Sequence, residues 1–345
     1  MKLTEIAKIA GVSTATVSRT INHVSTVDPA LARRVWRVIE QVGYYPNTQA
    51  RALVSGRSRT FGLLVSEIGN PFFPEIVQTF MHLGVKHNYE VLLTSIDKDC
   101  NQPETAARRM IERRVDGVAI LTFGPDESLI EIFKKRKLPV FTIDSESSGD
   151  LLKTVRIDYQ HGIRHAVQHL AALGHREIAF VSGPRGLKTA EMRRIAFQGC
   201  VSEIGLSTRR EWFLDGDHTM EAGIRAMSAL SRMQPRPSAV VCSNDLTAIG
   251  VMRQAFELSL NVPQDLSVVG FDDIRLAQFM IPPLTTVAMS QTEIAETAFA
   301  ALLECVEGER PRSLRREGPI ETSLVLRRST TLAPHRRTQS ETAAD

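Results

Sequence analysis

Thr14, Ala15, Arg19 and Asn22 fall on one face of a helical stretch by i, i+4 and i+3 spacing. In 3.6-residue geometry Val17 projects about 200° away from Ala15, so Val17 and Ile21 turn towards a core. A helix with one packed apolar side and one short polar side suits a DNA major groove, where Arg19 can donate two hydrogen bonds to a guanine edge. Ser13, Thr16 and Ser18 carry hydroxyls that suit flanking phosphates. A face of this kind is more often simply solvated. The capped turn before it and the basic residues around it favour DNA.

A second group lies at the ends of apolar runs. Asp144, Asp158, Asn244, Asp245, Asp272 and Asp273 all sit at or just past the C-terminal ends of candidate strands. In open α/β sheets ligands bind there. A single such Asp is commonly a helix cap. Several together, with Arg193 near in sequence order, suit a small polar ligand clasped between two lobes.

Other patterns carry less. Gly183-Pro184-Arg185-Gly186-Leu187-Lys188-Thr189 lies between a strand and a helix, but Leu187 follows Gly186 and Val181 stands five residues before it. The phosphate-loop spacing therefore fails, and the segment reads as a turn at a lobe edge. His161, His165 and His169 share a helix at i, i+4, i+8, opposite Ile163, Val167 and Leu170. No acid completes a zinc motif, and solvated histidines are the favoured reading. No nucleophile elbow, dinucleotide fingerprint or acid pair for hydrolysis is present, so neither an enzyme nor a cofactor is expected.

The elements that must position these residues change character near residue 60. Before residue 45 three short helices can be read. Thr4 is the expected cap of the first, Ser13 of the second, and Asp28-Pro29 opens the third. A turn at Gly11 joins the first two, as in a helix-turn-helix. Residues 47–54 are too few for a stable isolated helix and read as a linker that orders only when held. From residue 60, β-branched runs alternate with helical patterns. Strands are expected at 61–65, 90–94, 117–121, 140–143, 178–182, 239–242 and 267–271, most of them continuously apolar like parallel strands buried on both faces. The fold class is thus α/β: an all-α head on a two-lobed, doubly wound parallel-sheet core. The expected boundaries are 1–46 for the head, 47–59 for a hinge helix and linker, 60–335 for the core and 336–345 for a polar, disordered tail.

Composition agrees. The 345 residues carry a net charge of +3, yet residues 1–60 hold nine Lys/Arg against three Asp/Glu, which leaves the body mildly acidic. A basic head on an acidic body points to a nucleic-acid module joined to something else. Cys100, Cys200, Cys242 and Cys305 form no C-x-x-C pair, which fits a reducing cytosol. No 18-residue apolar run and no signal-like N-terminus are present, so neither membrane nor export is expected.

The chain resembles the LacI/GalR family of bacterial transcription regulators over nearly its whole length. The head carries T-E-I-A-K-I-A-G-V-S-T-A-T-V-S-R-T-I-N (4–22), G-Y-Y-P-N (43–47) and A-R-A-L (50–53). The body carries R-V-D-G (114–117), L-G-H-R-E-I-A (173–179), S-N-D-L-T-A-I-G (243–250), V-P-Q-D-L-S-V-V-G-F-D-D (262–273), P-P-L-T-T-V (282–287) and R-R-S-T (327–330). The resemblance implies a helix-turn-helix, a hinge helix and a core like periplasmic sugar-binding proteins. In that core the chain crosses three times, and a final strand near 323–328 returns to the second lobe. It implies base reading at Thr14, Ala15 and Arg19, with Leu53 wedged into the minor groove. Asn47 and Ala50 join the DNA-contacting set on the hinge. It also implies effector contacts at Arg193, Asn244 and Asp272. Two departures bear on the effector: Ala196 stands where the family often has Gly, and His218 where many members stack an aromatic.

The expected function is therefore a cytoplasmic, sequence-specific repressor. Its partners are double-stranded operator DNA and a small polar effector, with a sugar favoured over a nucleobase. Asp144, His218, Phe72 and Phe73 complete the expected effector set, although Phe72 and Phe73 are equally readable as core residues. The polar C-terminus, with Leu332 as its one leucine after residue 330, lacks a heptad seam, so a homodimer is expected. The rivals are a solute-binding protein, which would want an export signal and no basic head, and an α/β enzyme acting on sugars or nucleosides.

Overall fold

A computed structural model describes residues 2–21, 24, 26–44, 56–96, 103–122, 127–146, 149–206, 209–308 and 318–334. The chain divides into two compact units, Met1–Arg59 and Thr60–Asp345.

In the first unit, α1 (Leu3–Ala10), α2 (Thr14–Ile21) and α3 (Pro29–Gln41) enclose a small core of Ile6, Ala7, Ala10, Val17, Ile21, Val35, Val38 and Ile39. The expected cap at Thr4 is wrong: Thr4 lies inside α1, and the N-cap is Lys2, whose backbone N–H donates to the Glu5 carboxylate at 2.9 Å. The Glu5 carboxylate meets an otherwise orphaned donor, so the helix starts earlier than side-chain type suggests. Ser13 caps α2 as expected, accepting from Thr16 N at 3.1 Å. Asp28 caps α3, accepting from Ala30 N and Leu31 N at 2.8 and 3.1 Å. Gly11 makes the turn with φ +62, and Arg34 Nη2 donates to its carbonyl at 3.0 Å. Asn22, Asn47, Ala50, Leu53 and the 336–345 tail lie outside the described residues.

The second unit holds two sheets. In the first lobe β1 (Thr60–Val65), β2 (Glu90–Ser95), β3 (Gly117–Leu121), β4 (Val140–Ile143) and β5 (Leu152–Val155) run parallel in the order β2-β1-β3-β4-β5, with α4 (Phe73–Lys86), α5 (Pro103–Glu112) and α6 (Glu127–Lys135) between strands. The second lobe has seven strands: β6 (Ile157–Asp158), β7 (Ile178–Val181), β8 (Phe213–Leu214), β9 (Ala239–Cys242), β10 (Ser267–Asp272), β11 (Thr285–Met289) and β12 (Ile320–Val325). Their order is β6-β12-β11-β10-β9-β7-β8, and β12 is antiparallel to β11. Its helices are α7 (Tyr159–Ala172), α8 (Lys188–Glu203), α9 (Met220–Leu230) and α10 (Asp245–Glu257).

The chain leaves the first lobe at Arg156 and re-enters it at Ser290 for α11 (Gln291–Glu307). Phe299 of α11 meets Phe61 and Phe80 edge-on at 5.4 and 5.3 Å, which fixes that helix to the first sheet. The chain then returns for β12, the third crossing. The strand expected at 323–328 is found three residues earlier. β5, β6, β8 and β11 were missed as strands. β5, β6 and β8 are two to four residues long, so the neighbouring strand rather than local pattern defines them; β11 opens on the strand-favouring Thr-Thr-Val and was overlooked although its propensity is high.

Small residues set the close approaches. At Gly223 of α9 a Cβ would overlap Thr247 O, and at Gly250 of α10 it would overlap Met220 O. The two helices therefore touch backbone to backbone. Their N-termini carry His218 and Asn244 to the C-terminal end of the strands.

Candidate functional site

On α2, Ser13, Thr14, Ala15 and Arg19 are exposed and Thr16 and Ser18 are half-buried, while Val17 and Ile21 are buried. Thr20, also buried, bonds back to Thr16 O at 2.8 Å. The described part of the expected DNA face is thus one contiguous polar surface over an apolar floor.

In the core unit the strand-end residues converge on Arg193. Arg193 is 1% exposed. Nη1 donates to Ser243 O at 2.5 Å, Nη2 lies 3.2 Å from Asp272 Oδ1, and the Phe271 ring centroid lies 4.0 Å from Cζ. Arg193 Nε and Asp272 Oδ1 nonetheless have no aligned hydrogen-bond partner. The pair is close enough for charge attraction, but the N–H does not point at the oxygen, so both atoms keep capacity for a ligand. Burial raises the Asp272 carboxyl to about 6, with Arg193 working against that rise.

Asp144 is held from the other lobe. Its Oδ1 accepts from Ile157 N at 3.0 Å and its Oδ2 from Tyr159 OH at 2.8 Å. Burial pushes its pKa up, opposed by those two donors. The Tyr159 ring sits 5.3 Å from Arg193 Cζ, which links Asp144 to the same cluster. Lys188 Nζ also crosses, donating to Asp144 O at 3.2 Å and to Glu146 at 2.7 Å.

His218 and Asn244 are structural as much as receptive. The His218 ring is buried beside Gly183, where any Cβ would overlap it, and Nε2 meets Ser243 Oγ at 3.0 Å. Burial holds its pKa down to about 3, so the ring is neutral. Asn244 caps α10, accepting from Thr247 N and donating to His218 O, both at 3.0 Å. Half of its hydrogen-bonding capacity is spent before any ligand arrives. Phe72 and Phe73 pack edge-to-face at the start of α4, inside the large apolar cluster, as the core reading has them.

Asp158 is a cap for α7, accepting from His161 N. His161 and His165 are exposed with rings 4.4 Å apart, whereas half-buried His169 meets Thr330 Oγ1. Among the described residues no cluster of His, Cys, Asp or Glu is arranged to hold a metal ion, and no helix is long and apolar enough to cross a membrane.

Tyr159, Ser243 and Phe271 were missed. Tyr159 reads as an ordinary first-turn residue, and only its position after Asp158 at a strand end could have flagged it. Asp144, His218, Asp272 and Asp273 all have positive φ, four of the nine such non-glycine residues described. Each costs about 1–3 kcal/mol, and strain of this kind collects where a site needs a particular geometry.

Residues 2–47 match the profile of bacterial regulatory proteins of the lacI family, and residues 167–330 that of a periplasmic binding protein-like domain. The chain is 33% identical over 334 residues to the HTH-type transcriptional repressor PurR of Erwinia tasmaniensis, covering 96% of this chain and 97% of that one. It is 34% identical over 332 residues to the HTH-type transcriptional repressor CytR of Escherichia coli, covering 96% of each. Among solved structures, the lac repressor dimer bound to operator and the anti-inducer ONPF superposes with a TM-score of 0.81 at 26% identity, covering 96% of this chain and 99% of that one. A CelR–cellobiose complex matches with a TM-score of 0.70 at 27% identity, covering 95% and 99%. With an exposed polar helix face on a basic head and a strained, polar cluster at the strand ends of a two-lobed core, this chain belongs to the LacI family of transcriptional repressors.

Proposed function

We propose that the protein represses transcription as a homodimer on double-stranded operator DNA, and that a sugar bound between the core lobes sets its operator affinity. The single observation that carries the effector reading is the buried Arg193–Asp272 pair with Arg193 Nε and Asp272 Oδ1 unsatisfied. A sugar presents adjacent hydroxyls, each both donor and acceptor. One such pair can accept from Arg193 and donate to Asp272, satisfying both groups. Asp144 and Asn244 supply further acceptors and donors. The CelR–cellobiose neighbour supports the reading.

On DNA, Arg19 with Thr14 and Ala15 reads base edges, and Ser13, Thr16 and Ser18 hold phosphates. Asn22 and the hinge residues Asn47, Ala50 and Leu53 extend that surface, with Leu53 prying open a central base step. The effector moves operator affinity only as far as it prefers one lobe arrangement over the other.

Calorimetry of the full chain against mono- and disaccharides and against purines tests the effector, repeated with Arg193→Ala and Asp272→Ala. Saturable sugar binding lost in both variants is expected. Purine binding with no sugar response overturns the sugar. Binding unchanged in both variants overturns the site.

A further inference from the structure

The cleft has an asymmetric charge inventory. Among the described residues the buried Asp, Glu, His, Lys and Arg side chains are three acids, Asp144, Asp245 and Asp272, one cation, Arg193, and two histidines, His218 and, away from the cleft against Ser238 and Thr331, His175. Arg193 already faces Asp272 at 3.2 Å. Asp144 is satisfied by an N–H and a phenol rather than by a cation. Asp245 accepts from Ile274 N at 2.8 Å and Thr286 Oγ1 at 2.5 Å, again without a cation.

Two described cations beside these acids are already paired: Lys188 with Glu146 at 2.7 Å and Arg327 with Asp273 at 2.7 Å. His218 brings no positive charge. Among the described residues an anion entering the cleft would find Arg193 as its only buried cation, already shared with Asp272. It would meet the negative ends of Asp272 and Asp144 in a poorly solvated space, where like charges repel far more than in water.

We infer that the effector carries no negative charge: the cleft takes an uncharged, multiply hydroxylated molecule and rejects its phosphate and carboxylate derivatives. This rests on the assignment of the Arg193 cleft as the effector site, and it narrows the ligand class whether the neutral molecule is a sugar or a nucleoside. An anionic effector would either share Arg193 with Asp272 and place its own charge beside that carboxylate, or displace Asp272 and leave a buried carboxylate unpaired.

The test uses the full chain at fixed ionic strength. Thermal shift with inorganic phosphate against matched sodium chloride is run on the wild type, Arg193→Ala and Asp272→Asn. Calorimetry then compares neutral and phosphorylated partners, glucose with glucose 6-phosphate and adenosine with its monophosphate. The expected result is no phosphate stabilisation that depends on Arg193, and esters bound at least about tenfold more weakly than any parent that binds. Asp272→Asn, which frees Arg193, is expected to gain a saturable phosphate response.

A phosphate response that persists in Arg193→Ala does not run through Arg193 and is assigned to the basic head or to the pocket of about 650 Å³ lined by Arg185, Arg194 and Arg210; the ester comparison then decides for the cleft. Saturable wild-type stabilisation abolished by Arg193→Ala, or an ester tighter than its parent, overturns the inference. If Arg193→Ala does not fold, the ester comparison decides. If neither parent nor ester binds, the wild-type phosphate arm decides. Nucleoside binding without sugar binding overturns the sugar and leaves the charge inference standing. An anionic ligand bound through Arg193 overturns the charge inference and leaves the Arg193 cleft standing as the effector site.

Discussion

Tyr159, the first residue of α7 in the second lobe, donates its phenolic hydrogen to Asp144 Oδ2 in the first lobe at 2.8 Å, with both side chains buried. The bond ties the end of β4 to the crossing at Arg156. Tyr159→Phe keeps the ring and removes the donor, leaving one carboxylate oxygen without a partner. The expected loss of core stability is about 1–3 kcal/mol, read by urea unfolding. Unchanged stability would show that the bond does not join the lobes energetically.

Arg193 is the one buried cation of the described core, and removing it strands Asp272. Arg193→Ala is therefore expected to cost about 3–5 kcal/mol of stability as well as effector binding. The double variant Arg193→Met with Asp272→Leu removes both charges and should recover much of the stability but none of the binding. Thermal unfolding beside calorimetry separates the two effects.

Asp272, raised to about 6 by burial, is expected to give effector binding a pH dependence. A ligand hydroxyl donates to the ionised carboxylate, so affinity should fall as pH drops through about 6. Fold stability runs the other way. Between the unperturbed 3.8 and about 6 the folded state holds the proton more tightly. The contribution of Asp272 to stability is thus present at acid pH and lost as pH rises through that window. Calorimetry at pH 5, 6, 7 and 8 should show the trend in the wild type and a flat profile in Asp272→Asn.

The glycines of α9 and α10 give a packing test with an internal control. Gly223→Ala and Gly250→Ala each drive a Cβ into backbone that cannot yield. Each should cost about 1–3 kcal/mol or more. Gly199→Ala in α8 meets nothing within 4 Å and should be neutral or stabilising by up to about 1 kcal/mol. Equal effects at all three positions would exclude the close-approach explanation.

On DNA, Arg19→Ala is expected to lower operator affinity by about 1–3 kcal/mol and to relax choice at one base pair per half-site. Arg33→Ala should act through salt dependence alone. Arg34→Ala should in addition loosen the head, because Arg34 holds the Gly11 carbonyl. Binding titrations at several salt concentrations, with the melting of the head, distinguish the three. A chain truncated before Asn47 that held the operator as tightly as the full chain would remove the hinge, Leu53 included, from the mechanism.

By itself the sequence determined the helix-turn-helix, the two-lobed α/β class and the outline of both candidate surfaces. Those features are local. Val17 and Ile21 turn inward because 3.6 residues make a turn, Ser13 and Asp28 cap because their side chains reach the next N–H groups, and buried parallel strands must be apolar on both faces. Asp144, Arg193 and Asp272 were legible as candidates because strand ends are where an open sheet leaves room.

What those residues touch was decided only by tertiary structure. Nothing local says that Tyr159 would reach across to Asp144, that Phe271 would lie under Arg193, or that His218 would be pinned over Gly183. Those partners come from different strands and helices, and their separations follow from sheet order and helix contacts. The short strands β5, β6 and β8 and the N-cap of α1 at Lys2 were missed for the same reason: partners far along the chain, or a single compensating carboxylate, outweighed the local preference of the residues themselves.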